Sequence, residues 1–262
     1  MIEVKNLTKK YGEKLAVDHL SFKVNDGDVL GFLGPNGAGK STTMNMLTGY
    51  LSATEGSIFV EGISMQESPE EAKRSIGYLP EIPPLYTDLT VMEYLRFAMR
   101  LKKVKGIRDA ENYLTGICRR TGIEQVRGRL IRHLSKGYRQ RVGIAQTLVG
   151  DPKILILDEP TVGLDPSQIM EIRSLIRDLG KEHTIILSSH ILQEIQAVCN
   201  RIIIIGEGRL LVDQKEAELL VNPIDGGFQE GGRMQNYRIR IQGAAEKIAP
   251  GLGALPGVSR VS

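Results

Sequence analysis

Between an apolar run, Val29–Leu33, and a segment of helical composition, Ser41–Leu51, the chain carries Gly34-Pro35-Asn36-Gly37-Ala38-Gly39-Lys40-Ser41. These residues fit the pattern G-x-x-x-x-G-K-[ST], and few short patterns constrain a fold more tightly. The pattern works only where a strand feeds a loop whose backbone N–H groups curl around an anion, with a helix N-terminus adding partial positive charge. Glycine supplies the backbone angles and close approach that such a curl requires. The implied ligand is a nucleoside polyphosphate. Lys40 would reach its outer phosphates, and Ser41, followed by Thr42 at the same helix start, would bring a hydroxyl to Mg²⁺.

A second set of chemical groups stands at the ends of two other apolar runs. Ile154–Leu157 is followed by Asp158-Glu159, and a fully apolar strand rarely ends in two carboxylates without a use for the charge. Asp158 is expected to hold the Mg²⁺ shell through water, and Glu159 to orient and polarise a water attacking the terminal phosphate. Ile185–Leu187 ends in Ser188-Ser189-His190, which brings His190 to the edge where ligands of open α/β sheets bind. His190 is therefore expected to contact the γ-phosphate. The plainer readings are a solvated strand end for the carboxylates and a structural role for the histidine.

The pattern of elements around these groups predicts an α/β protein. Residues 2–60 are β-rich and read as antiparallel, with Ile2, Val4, Phe22 and Val24 alternating with polar residues and Asn25-Asp26-Gly27 as a turn. From about residue 89 to 149 the apolar spacing becomes helical, through Leu95, Ala98 and Met99 and later Val142, Ala145, Leu148 and Val149. Ile154–Leu157, Ile185–Leu187 and Ile202–Ile205 then alternate with helices, the first starting at Pro166 with Ile169, Ile172, Ile176 and Leu179 on one face, which implies a parallel sheet. Beyond Val212 the character changes: Gly226, Gly227, Gly231 and Gly232 mark a loop, Tyr237–Ile241 reads as an edge strand, and Val258–Ser262 as the start of another. A chain of 262 residues fits one substantial core plus an appendage. With 25% charged and 41% hydrophobic residues, it is expected to be a soluble globule, not a disordered polyelectrolyte. Its apolar runs fall far short of the roughly 18 residues of a spanning helix, so any membrane role is expected to be peripheral. Two cysteines, Cys118 and Cys199, with no leader-like pattern, fit a reducing compartment.

Phosphate loops occur in many proteins, and Leu134-Ser135-Lys136-Gly137-Tyr138-Arg139-Gln140 narrows the choice. It resembles the signature motif of the ABC ATPases, usually LSGGQ, in a variant seen in exporter ATPase subunits and gliding-motility-type ABC proteins. Ser135 and Gly137 match, while Lys136 and Tyr138 depart. Tyr11 in Lys10-Tyr11-Gly12 resembles the family's adenine-stacking aromatic, Gly163-Leu164-Asp165 its D-loop, and His190 its switch histidine. The resemblance covers about residues 2–212. It implies a P-loop NTPase core with a parallel sheet, an antiparallel β subdomain and an inserted helical subdomain at about 89–149. It further implies an ATPase using ATP and Mg²⁺ that works as a dimer, in which Ser135, Lys136 and Gly137 face the γ-phosphate held by the other protomer. Ser135 precedes a helix, so its hydroxyl and the helix N-terminus suit that task. Asp165 would couple the two sites.

One departure bears on mechanism. The family's Q-loop carries glutamine, whereas Ile76-Gly77-Tyr78-Leu79-Pro80-Glu81 ends in glutamate. A carboxylate adds negative charge near an anionic nucleotide and favours a divalent cation, so Glu81 is expected to sense Mg²⁺ and transmit its position to the helical block.

The net charge of +3 hides an asymmetry: Arg96 through Arg141 holds 14 Lys or Arg against 3 Asp or Glu. In the family the helical block touches an integral membrane permease beneath an anionic leaflet, so a peripheral location on the cytoplasmic face is expected; the plainer reading of the charge is a solvated helical face. The signature variant implies export, and the intact motifs allow two equivalent sites in a homodimer. A nucleic-acid partner is not expected, because aromatics for base stacking are few among the basic residues. The rival functions are a soluble ABC ATPase acting on ribosomes or DNA and an ATP-binding regulator without turnover. Residues 213–262 resemble the start of an accessory β-α-β domain, expected to be incomplete.

Overall fold

In a computed structural model, residues 1–215 are described, together with the pairs 219–220 and 240–241. The chain opens with β1 (Ile2–Tyr11) and β2 (Lys14–Val24), an antiparallel hairpin in which Ile2, Val4, Val17, Leu20 and Val24 turn inward. β3 (Val29–Leu33) leads through the glycine loop into α1 (Lys40–Leu47). β4 (Glu55–Val60) returns to pair with the free side of β1, and the short β5 (Ile63–Ser64) completes a four-stranded antiparallel sheet, β2-β1-β4-β5. Helix α1 is shorter than the expected Ser41–Leu51. It stops at Leu47 because Thr48 closes its last turn onto Met44 O and Gly49 follows with φ +62°.

After α2 (Pro69–Arg74) and β6 (Ile76–Leu79) come the three helices of the basic block: α3 (Val91–Leu101), α4 (Ala110–Arg120) and α5 (Lys136–Leu148). Thr90 and Glu93 close the N-terminus of α3 with a reciprocal capping box, worth about 1 kcal/mol in typical helices. The chain then alternates through β7 (Ile154–Asp158), α6 (Pro166–Leu179), β8 (Thr184–Ser189), α7 (Leu192–Gln196), β9 (Arg201–Gly206) and β10 (Arg209–Lys215). The second sheet has the order β10-β9-β3-β8-β7-β6, parallel except for β10, which pairs antiparallel with β9. Every residue of β3, β7 and β8 is buried, which is why these strands read as continuous apolar runs and not as alternation.

The core lies on both faces of this sheet. One cluster joins it to α3–α6; the other fills the space toward the antiparallel sheet, where the rings of Phe22 and Phe32 meet at 5.8 Å. Two consequences position the site. The parallel register of β3, β7 and β8 puts Leu33, Asp158 and Ser189 at one edge, so the segments that follow them converge. The final strand of this sheet, β10, runs to Lys215, so the sheet crosses the boundary expected at residue 212. Of the strand expected at Tyr237–Ile241, Arg240 and Ile241 pair antiparallel with Leu220 and Leu219. The glycine loop at 226–232 and the strand at 258–262 lie outside the described residues. Among the described residues no helix is long and apolar enough to cross a membrane.

Candidate active site

The loop after β3 takes its shape from its glycines and from Lys40. Gly37 and Gly39 have φ of +83° and +100°. A Cβ on Gly39 would meet the carbonyl oxygen of Ala16 at 2.5 Å, so both the angle and the space exclude a side chain there. Gly39 stands at the N-cap of α1, which receives no side-chain cap and so keeps its first N–H groups for the loop's concave side. Lys40 is 5% exposed and folds back over the loop, donating from Nζ to Gly34 O at 2.7 Å and Pro35 O at 3.2 Å.

The same ammonium lies 3.4 Å from Glu159 Oε1, which joins the first half of the site to the second. Glu159 is itself buried and takes φ +46°, a left-handed conformation uncommon for a residue with a side chain. That turn is held by Ser188, whose Oγ accepts from the Glu159 N–H at 2.8 Å and donates to Asp158 Oδ1 at 2.5 Å. Glu159 Oε2 lies 2.9 Å from His190 Nδ1. A cation, a carboxylate and an imidazole thus form a continuous chain across the carboxyl ends of β3, β7 and β8. Asp158, 2% exposed, lies just beneath it. Burial pushes the nearby Tyr78 phenol well above its ordinary value, reinforced by the negative charge of Asp158, so its hydroxyl stays protonated and donates to Asn45 Oδ1 at 3.0 Å.

Above this chain opens a cavity of about 410 Å³. Asn36, Gly37, Gly39, Lys40, Ser41 and Thr42 form its floor, Glu159 and His190 one wall, and Tyr11 and Glu81 its rim. Tyr11 is half exposed, with Lys9 Nζ 5.4 Å from its ring centroid. Lys14, Ala16 and Val162 also line it. No motif pointed to those three; Lys14 and Ala16 flank the Gly39 contact because the β1–β2 hairpin folds over the loop. Gly34, Pro35 and Ala38 belong to the same loop but are not among the residues that line the cavity.

Ser135, Lys136, Gly137 and Asp165 are placed elsewhere. Ser135 caps α5, its Oγ accepting from Tyr138 N, and Asp165 caps α6, accepting from Gln168 N at 2.9 Å. The Ser167 hydroxyl and that backbone N–H hold the Asp165 carboxyl below its usual range. The two helix starts pack together: Lys136 lies over Gly163, where a Cβ would meet Nζ at 2.1 Å, and Gly137 abuts Gln168. One chain therefore carries the polyphosphate-type cradle and, on a separate surface, a capped helix N-terminus.

The family model described as "ABC transporter" matches residues 17–162. The bacitracin transport ATP-binding protein BcrA of Bacillus licheniformis is 43% identical over 213 residues, covering 80% of this chain and 68% of that protein. The lantibiotic transport ATP-binding protein SrtF of Streptococcus pyogenes is 37% identical over 216 residues, covering 82% and 91%. Among solved structures, the dimeric post-hydrolysis state of the ATP-binding cassette MJ0796 bound to ADP and Pi superposes with a TM-score of 0.74 at 26% identity, covering 82% of this chain and 99% of that one.

Proposed function

The chain belongs to the ABC transporter ATP-binding family and hydrolyses ATP, and from that premise we propose that the cavity above Lys40, Glu159 and His190 is its ATP site. The observation that carries this reading is the contact chain Lys40–Glu159–His190 under a glycine cradle. The phosphates take backbone N–H groups of Asn36, Gly37 and residues 39–42, the Ala38 N–H being held by Pro35 O, and the Lys40 ammonium, which exchanges its loop carbonyls for phosphate oxygens. Tyr11 at the rim stacks on the adenine. Ser41, Asp158 and Glu81 are the groups for Mg²⁺. Among the described residues no cluster of three or more acidic, histidine or cysteine side chains could hold a metal by itself. One hydroxyl with one or two carboxylates is the donor set that suits Mg²⁺ shared with phosphate oxygens and water. When bound, Mg²⁺ neutralises charge on the β- and γ-phosphate oxygens.

Glu159 then orients the attacking water and accepts its proton. Its Oε1 is held by Lys40 and its Oε2 by His190, so the carboxylate has little freedom to turn away. With Nδ1–H given to Glu159, the His190 ring makes a second donation, from Nε2 to a γ-phosphate oxygen, only in its imidazolium form. Ser135, Lys136 and Gly137 serve the nucleotide of a second protomer, and their position outside this chain's own cavity supports that assignment. Asp165, at the packed junction with the same helix start, couples the two sites. The dimeric relative MJ0796 supports the assembly.

The partner is an integral membrane permease, and the chain sits peripherally on the cytoplasmic face and powers export. Relatives named for bacitracin and lantibiotic transport support this reading over one involving ribosomes or DNA. Within the basic block, Arg96, Arg119 and Arg132 are paired with Glu111, Glu124 and Asp88, whereas Arg100, Lys103, Lys105 and Arg108 stand exposed toward a partner or leaflet. Tagging the chain, solubilising membranes gently and identifying what co-purifies tests the proposal. A polytopic membrane protein that stimulates the ATPase is expected. Co-purification with ribosomes or repair proteins, with the chain absent from membranes, would overturn it.

A further inference from the structure

Behind the catalytic wall lies a carboxylate that no motif pointed to. Glu194, on α7, is 4% exposed. Its Oε2 accepts two hydroxyls, from Thr161 at 2.6 Å and from Ser189 at 3.0 Å, while its Oε1 lies 3.7 Å from an Arg173 guanidinium nitrogen. Thr161 comes two residues after Glu159, and Ser189 one before His190. The two strand-end segments that carry the reacting groups are therefore tied to a single oxygen atom. A carboxylate this deeply buried is costly unless paired and hydrogen-bonded, and here every partner belongs to a segment next to the site or to α6.

We propose that Glu194 is a positioning residue for ATP hydrolysis: by accepting both hydroxyls on Oε2 it fixes the Thr161 and Ser189 segments relative to each other and so sets the Glu159–His190 contact. This rests on the roles given above to Glu159 and His190. The clamp holds the segment that follows β7 and the end of β8, and makes no hydrogen bond to the loop after β3. Its loss therefore loosens the wall and spares the floor. Displacing a reacting group by about 1 Å can cost on the order of a hundredfold in rate. Nucleotide affinity, which the floor supplies, has no reason to follow.

Steady-state ATPase of the full chain tests this with Glu194→Leu, Glu194→Gln and Thr161→Val, alongside Glu159→Gln as reference. Because both hydroxyls use one oxygen, a glutamine carbonyl can accept both, giving up only the 3.7 Å ion pair with Arg173, whose partly exposed guanidinium can turn to water. The expected result is that Glu194→Leu and Thr161→Val lower kcat by about tenfold or more with KM for ATP within about threefold, while Glu194→Gln stays within about threefold of the parent. If Glu194→Leu does not fold, Thr161→Val, which keeps side-chain shape, decides alone. The inference is overturned if the folded variants keep the parent's kcat, if the loss resides in KM, or if Glu194→Gln is as impaired as Glu194→Leu. Glu159→Gln separates the two levels of the account. Should it be inactive while Glu194→Leu is normal, only the clamp fails; should it turn over normally, the assignment of Glu159 fails.

Discussion

Removing one hydroxyl, by Ser188→Ala, should uncouple binding from turnover. Ser188 is fully buried, and its Oγ is the sole side-chain partner that holds the Glu159 N–H while donating to Asp158 Oδ1. Alanine leaves a buried donor and one carboxylate lone pair unsatisfied, each costing about 1–3 kcal/mol by general experience. The two losses share one site and are not additive, so a destabilisation of about 2–4 kcal/mol is expected, a large part of a typical total stability of about 5–15. The left-handed turn at Glu159, φ +46°, also loses its anchor. A conformation of that kind costs on the order of 1–3 kcal/mol and persists only where its surroundings hold it. Once the turn relaxes, Oε1 and Oε2 leave Lys40 and His190, and kcat should fall by about ten- to a hundredfold while ATP affinity changes by less than about threefold. Urea unfolding gives the first quantity, and steady-state ATPase with equilibrium nucleotide binding gives the second. A Ser188→Ala protein within about 0.5 kcal/mol of the parent and with unchanged kcat would refute the reasoning.

Two further substitutions test other parts of the structure. Gly39→Ala forces a Cβ to within 2.5 Å of Ala16 O at φ +100°, so ATP affinity should drop by more than about tenfold in an equilibrium titration; unchanged affinity would contradict the loop geometry. Lys102 donates to Gln146 O, Thr147 O and Val149 O, closing the C-terminus of α5, and burial lowers its pKa from 10.5 to about 8. Lys102→Met should therefore destabilise at neutral pH by about 1–3 kcal/mol, because three carbonyls lose their donor. The sign of the pH dependence follows from the lowered value. Between pH 8 and 10.5 the unfolded chain binds the proton more tightly than the folded one, so the cost of burying the charge is full below that window and fades as pH rises through it. The parent's stability relative to Lys102→Met should accordingly rise between pH 8 and 9.5, by at most about 1.4 kcal/mol per unit, in parallel urea melts. A falling difference would contradict the burial of a cation there.

Much of this architecture is legible in the residues themselves. Val29–Leu33 and Ile154–Leu157 read as strands because both faces of the central sheet are covered, and the parallel register then brings their ends together. Lys40, Glu159 and His190 could be singled out one by one; their contacts could not, because they depend on register between strands far apart in sequence. The end of α1 is not legible for a local reason: Thr48 and Gly49 end the helix while Tyr50 and Leu51 continue its composition. The change of character at Val212 lies inside β10, whose antiparallel pairing with β9 leaves no compositional mark. Glu194 was hidden because a glutamate on a short helix usually faces water, and only the tertiary fold turns this one toward Thr161 and Ser189.

We propose ATP binding in this cavity and its hydrolysis by Glu159, pinned between Lys40 and His190, at the interface of two chains. The most direct measurement follows bound ATP, released phosphate and molecular mass together for Glu159→Gln at saturating Mg-ATP. ATP affinity is expected within about threefold of the parent, turnover lowered by about a hundredfold or more, and a mass twice that of one chain. Parent-like turnover, or tight ATP binding by a chain that stays single, would contradict the proposal.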